Sequence, residues 1–224
     1  MSRALAYCSF LHKPEISLPP TGVQSAEVQV MPQGGMRLLW SEVKWPFTPE
    51  LMQKNALEFH GVVHHVFRQA AVVPFRLLSV FQDEKALAAF TVENTDVLIA
   101  DLERLKNVVQ MECVVYPAPG RVQVKSDSGT AYLREKAVML RTIGEHAAQI
   151  RERLGSLARD IRLRETKSGT RIFVLMERGR EGEFRAAVER VTIPQQLSRR
   201  TSGPWPAAEF LSDKVRAPQV TGLK

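Results

Sequence analysis

The sequence predicts an α+β protein of two domains: the C-terminal one ferredoxin-like (a split βαβ unit), the N-terminal one a related antiparallel sheet with helices. Three observations carry this prediction. Apolar runs of strand length alternate with helix-period segments along the whole chain. From Val108 the order reads β, α, β, β, α and a last short β, which is the order of a split βαβ unit. The composition, 44% hydrophobic and 25% charged over 224 residues, is that of a globular chain long enough to bury a core without metal or disulfide. The boundaries on this reading are 1–106 for the N-terminal domain, 107–212 for the C-terminal domain and 213–224 for a flexible tail.

In the first half, residues 4–11 (ALAYCSFL) form a continuous apolar run, expected as a buried strand. Three prolines and a glycine between Pro14 and Gly22 demand a loop. Residues 26–31 alternate, Pro32-Gln-Gly-Gly35 turns the chain, and residues 36–43 return, predicting a hairpin. Thr48 and Pro49 announce a helix, one as N-cap and the other at the first helical position, where the missing N–H costs nothing. Its apolar face is Met52, Ala56, Phe59, Val63, Val66 and Ala70. Residues 72–81 (VVPFRLLSVF) read as one buried strand, with Pro74 marking an edge or a bulge. Asp83 caps the next helix, which breaks near residues 91–95 and resumes with Val97, Leu98, Leu102 and Leu105.

In the second half, residues 108–116 form a strand that ends at Pro117. The longest periodic signal follows: Leu133, Ala137, Leu140, Ile143, Ala147, Ile150, Leu154 and Leu157 keep helical spacing from about residue 130 to 158. Residues 161–165 and 171–176 are two strands joined through Lys167-Ser-Gly169, and residues 181–191 a short helix. Ser202-Gly-Pro-Trp-Pro206 reads as a rigid turn, and residues 208–211 as the last short extended segment.

Catalytic constellations are sparse. His60 and His64, one helical turn apart and followed by His65, share a face, but Gly61 stands where a zinc protease needs its glutamate and no third ligand is near. The reading is polar-face or interface histidines, with no metal and no cofactor. No G-x-S-x-G elbow or phosphate-binding loop occurs, and the two cysteines, Cys8 and Cys113, lie in apolar runs. We therefore expect no enzyme. Residues 1–10 do not form a signal peptide and no run approaches a membrane-spanning length, so the expected location is cytoplasmic, with no membrane partner.

Charge is uneven: residues 1–120 carry 10 basic and 12 acidic side chains, residues 121–224 carry 21 and 12. Either the basic half meets an acidic partner or its arginines form a solvated helical face, the bland reading that charge patterning favours. A basic nucleic-acid-binding module is thus the alternative function. The split βαβ strands, however, lack an aromatic-rich stacking motif, offering only Tyr116 and Phe173, and nucleic acid is not expected as a partner.

Three segments resemble a known family. Phe59-His60, then Val72-Val-Pro-Phe-Arg76 and Val80-Phe81, are similar to a histidine-bearing helix followed by a strand of pattern V-x-P-x-R-F-G-T-x-F. Ser128-Gly-Thr-Ala-Tyr-Leu-Arg134 is similar to a G-x-x-Y-L helix opening, and Ser202-Gly-Pro-Trp-Pro206 to a T-G-P-W-P-P-Y-x-F ending. In this order and spacing they resemble the gas vesicle protein GvpL/GvpF family. The chain departs from the pattern at Leu77-Leu78, where the family has Phe-Gly, and at Ala207-Ala208, where it has Pro-Tyr.

The resemblance implies two α+β domains and a part in building gas vesicles, the protein-walled buoyancy compartments of some prokaryotes. It further implies binding to the small, aggregation-prone major gas vesicle shell protein and to other gas vesicle accessory proteins, as an assembly factor or minor structural component. The motif positions of structural or interface interest are His60, Pro74, Phe75, Arg76, Phe81, Gly129, Tyr132, Leu133, Gly203, Pro204 and Trp205. Arg76 is either a buried ion-pair partner or a contact at a sheet edge, and Trp205 either a lid over the C-terminal core or an interface anchor. Tyr132 is expected to pack the start of the long helix on the sheet.

Overall fold

The structure, a computed structural model, describes residues 1–119 and 129–213, with Tyr132 described by its backbone alone. Ser128 of the second motif and most of the expected flexible tail, residues 214–224, lie outside the described residues. The chain forms two compact units, one of Met1–Asn107 with the segment from Pro206 onward, the other of Val108–Trp205.

The first unit is built on β1 (Ser2–Leu11), in which every residue from Ala4 to Phe10 is buried. A continuous apolar run of this kind gives a strand covered on both faces. β2 (Gln29–Gln33) and β3 (Met36–Lys44) lie to one side of it in the order β2-β3-β1, all antiparallel. The hairpin between β2 and β3 turns on Gly34 and Gly35, whose φ values of 56° and 87° suit a tight two-residue turn that side chains would strain. The strand therefore continues through Pro32 and Gln33, which the sequence reading gave to the turn. Pro32 is tolerated because β2 is an edge strand and its missing N–H breaks no ladder.

Helix α1 (Pro49–Phe67) buries Asn55, Phe59, Val62, Val63, Val66 and Phe67. Its Phe59 ring lies 5.3 Å from that of the fully buried Tyr7 on β1. Ala56, expected on this face, is exposed, and Asn55 takes the inward position. The expected single strand over residues 72–81 is instead two short ones, β4 (Val73–Pro74) and β5 (Val80–Phe81), both paired with β1. Between them the Arg76 N–H donates to the Ser79 hydroxyl at 3.1 Å and the Ser79 N–H to the Arg76 carbonyl at 2.8 Å, closing a turn. Asp83 caps α2 (Glu84–Glu93), its carboxylate accepting the Ala86 N–H at 2.8 Å, and Asn94 separates α2 from α3 (Thr95–Arg104). Asn107, at φ 57°, takes the left-handed turn that ends this part of the unit.

The second unit has β6 (Val108–Pro117), α4 (Gly129–Leu154), β7 (Ala158–Thr166), β8 (Gly169–Glu177), α5 (Glu181–Glu189) and β9 (Leu197–Trp205). The strand order β7-β8-β6-β9, antiparallel throughout, is the ferredoxin-like split βαβ arrangement. Its helical side buries Ile143, Ala147, Ile150 and Leu154 of α4 and Phe184 and Val188 of α5, with Met111 and Cys113 of β6 and Val174 of β8. The closing strand is β9, which absorbs most of the Ser202-Gly-Pro-Trp-Pro206 segment expected as a turn. As an edge strand it accommodates Pro204. Residues 208–211 are no strand: Ala208–Phe210 is a single 3₁₀ turn. That segment packs with the first unit, not with the domain 107–212 to which the sequence boundary assigned it, because Ala207, Phe210 and Leu211 bury their side chains there.

Candidate interaction surfaces

The motif positions fall in three places. Pro74 pairs with Cys8, and the Phe75 N–H donates to the Tyr7 carbonyl at 2.9 Å. The Phe75 and Phe81 rings pack at 6.0 and 5.1 Å from Phe90 of α2, so these residues tie the short strands to the core. Arg76 is exposed on the turn between them, which removes it from any buried ion pair. His60 is exposed with its ring 5.4 Å from that of His64, and His65 shares a hydrogen bond with the Ser17 hydroxyl at 3.1 Å. No group of three metal-ligating side chains occurs among the described residues.

The third motif sits on β9. At Gly203, φ is 114°, and a Cβ there would lie 2.9 Å from the Gln110 carbonyl oxygen and 2.8 Å from the Met111 sulfur, so only glycine allows this approach of β9 to β6. Two residues on, the Trp205 indole N–H donates to the Ser202 hydroxyl at 3.2 Å, which donates to Glu112 at 3.2 Å. The other oxygen of Glu112 accepts from the Arg171 guanidinium. Glu112, buried within β6, is a residue the sequence reading passed over; its signal was a lone carboxylate in the run VVQMECVVY. Trp205 is thereby oriented by hydrogen bonds within the sheet, on the side away from the helices.

Several arginines of the second unit have internal partners. Arg159 pairs with Glu177 at 2.9 Å, Arg162 with Asp160 at 3.6 Å and Arg180 with Glu183 at 2.8 Å. Arg185 donates to the Gly203 carbonyl at 2.9 Å, and Arg199 to the Glu189 carbonyl at 2.9 Å and to that of Val191, satisfying the C-terminal end of α5. Arg164 and Arg171 lie over the Phe173 ring, with guanidinium carbons 5.3 and 5.0 Å from its centre. Phe173, only 2% exposed, has no ring face to offer a nucleobase. The thiols of Cys8 and Cys113 are both pushed up to about 12 by burial, leaving neither as a thiolate at neutral pH.

Helix α4 presents exposed aliphatic side chains at the surface. Its periodic face is continuous in sequence, but burial begins only at Ile143. Before that point Leu133, Val138 and Leu140 are 64%, 63% and 42% exposed, and Gly129, which opens the helix, is exposed as well. A shallow groove of about 1010 Å³ lies farther along, between α4 and α5, with Glu152, Arg153, Glu183 and Arg190 on its walls. Its mixed charge gives it no evident ligand chemistry.

Among the described residues no helix is long and apolar enough to cross a membrane. No curated protein matches the chain by sequence. Among solved structures, gas vesicle protein GvpF from Anabaena sp. PCC7120 superposes with a TM-score of 0.72 at 16% identity, over 92% of this chain and 94% of that one. GvpF from Microcystis aeruginosa superposes with a TM-score of 0.69 at 13% identity, over 89% and 95%. These show the same α+β fold. The family model of the gas vesicle synthesis protein GvpL/GvpF matches residues 4–212, so both units and the returning segment fall within it. The chain belongs to the GvpL/GvpF family of gas vesicle proteins and takes part in gas vesicle formation.

Proposed function

We propose that this protein is an assembly factor or minor structural component of gas vesicles, working by stoichiometric binding of the major shell protein and of other accessory proteins, with no catalytic step. The observation that carries this reading is the exposed aliphatic half of α4 on a chain whose family builds gas vesicles. Burying a leucine or valine side chain against a partner contributes about 1.5–3 kcal/mol, so a few such residues suffice for a specific contact. The same contact would cover apolar surface on an aggregation-prone shell subunit until it joins the wall, in the cytoplasm or at the vesicle.

The test is co-expression of the tagged protein with the major shell protein and recovery at moderate and high salt. Recovery through both washes is expected of an apolar contact. Recovery at low salt only would shift the contact to charge. A strain lacking the gene that still made normal vesicles would overturn the reading.

A further inference from the structure

Carried back from the buried residues of α4, positions alternately three and four apart run through Leu154, Ile150, Ala147, Ile143, Leu140, Lys136 and Leu133, apolar at all but Lys136. That spacing is the seam of a helix built to pack along another element over its whole length. From Ile143 onward the seam is buried in the second unit, whereas Leu133 and Leu140 are exposed. Lys136 is the one polar residue on the seam, and it falls between the two exposed leucines. Arg134 and Arg141 flank them, against the single carboxylate of Glu135.

We propose that this half of α4 receives an amphipathic helix of another gas vesicle protein, one whose aliphatic stripe carries a carboxylate opposite Lys136. The inference rests on the reading of the chain as a binder of such proteins and adds the site and the chemistry of the occupant. Charge decides against a second copy of this chain. A symmetric pair would bury two lysines on an apolar seam with more cations on each side, and a desolvated ammonium without a counter-ion is strongly disfavoured. A carboxylate at the facing position removes that penalty and fixes the register, as single polar residues do in helix seams.

The experiment co-expresses the full-length tagged chain with the major shell protein and, singly, with each accessory protein of the same gas vesicle set. The variants are Leu133→Glu with Leu140→Glu, and separately Lys136→Glu. Glutamate is nearly as good a helix former as leucine, so circular dichroism of the variants is expected to match the wild type. A partner recovered with the wild type is expected to fall about ten-fold or more with the double variant. With Lys136→Glu the loss is expected to be restored by an acid-to-lysine substitution on the partner helix. Equal recovery with wild type and double variant would overturn the site while leaving the binding reading intact. Recovery of no gas vesicle protein by the wild type would overturn both. A wild-type dimer in sedimentation that the double variant abolishes would give the seam to a second copy and overturn the assigned occupant.

Discussion

Asp101 and Ser212 stand 111 residues apart in the chain, yet one carboxylate oxygen of Asp101 accepts both the backbone N–H and the hydroxyl of Ser212, at 2.9 and 3.0 Å. The other oxygen accepts from Arg104 at 2.6 Å, and Arg104 also donates to the Phe210 carbonyl at 2.6 Å. A carboxylate 3% exposed thus holds the returning segment against α3, with the Phe210 side chain buried beside it.

Removing that carboxylate strands the donors it satisfies. Asp101→Ala is expected to cost about 2–3 kcal/mol. Phe210→Ala is expected to cost about 3–5 kcal/mol through the cavity it leaves. Amide exchange of α3 and β1 is the readout, since both changes belong to the first unit. Unchanged protection in both variants would mean that the segment contributes nothing to that unit.

Substitution of Gly203 attacks the opposite unit. Gly203→Ala forces a side chain into a backbone conformation that costs about 1–3 kcal/mol, and meets Gln110 and Met111 as well. Exchange of the β9 amides should rise while that of β1 stays as it was. Wild-type protection along β9 would show that the edge strand relaxes without penalty.

Arg199 provides a third test. Arg199→Ala leaves the Glu189 and Val191 carbonyls at the end of α5 without their charged donor, for an expected loss of about 1–2 kcal/mol. Arg199→Lys is expected to recover only part, because an ammonium cannot fork across two carbonyls as a guanidinium does. Thermal melts of the three proteins separate these outcomes.

The buried thiols predict an alkaline dependence. Cys8 and Cys113 titrate at about 12 in the folded chain against 9.0 ordinarily, so between these values the unfolded chain has lost protons that the folded chain keeps. Their contribution is whole below pH 9 and falls as pH rises, by up to about 1.4 kcal/mol per pH unit for each thiol. Burial also raises the Tyr7 hydroxyl above its usual 10.0, adding to the decline at the upper end. Denaturation midpoints from pH 8 to 11 should fall less steeply in Cys8→Ala and Cys113→Ala than in the wild type; parallel slopes would contradict buried thiols.

How far the sequence disclosed this molecule depended on which force shaped each element. β1 was legible because seven successive residues are buried, and an apolar run records that directly. The split βαβ order was legible from α4, whose period is long and regular. β9 was hidden: its ladder to β6 is made by backbone groups, while its side chains (Ser, Arg, Thr, Gly, Pro) spell a turn. The segment 72–81 misled in the other direction, since its apolar side chains serve two short strands around a turn held by Ser79. Periodicity also showed which face of α4 is apolar without showing that only its second half is covered. Arg76 was read as part of one buried strand, whereas it lies exposed on a turn that no local pattern announced.

The return of residues 206–213 to the first unit has a consequence for synthesis. All of Val108–Trp205 leaves the ribosome before Phe210, Leu211 and Ser212 become available to the first unit. The inserted unit begins on β6 and ends on β9, which pair with each other, so its two ends emerge as neighbours in one sheet. It can therefore close on itself while the earlier-translated unit still waits for its last buried residues: the part made first is the part completed last.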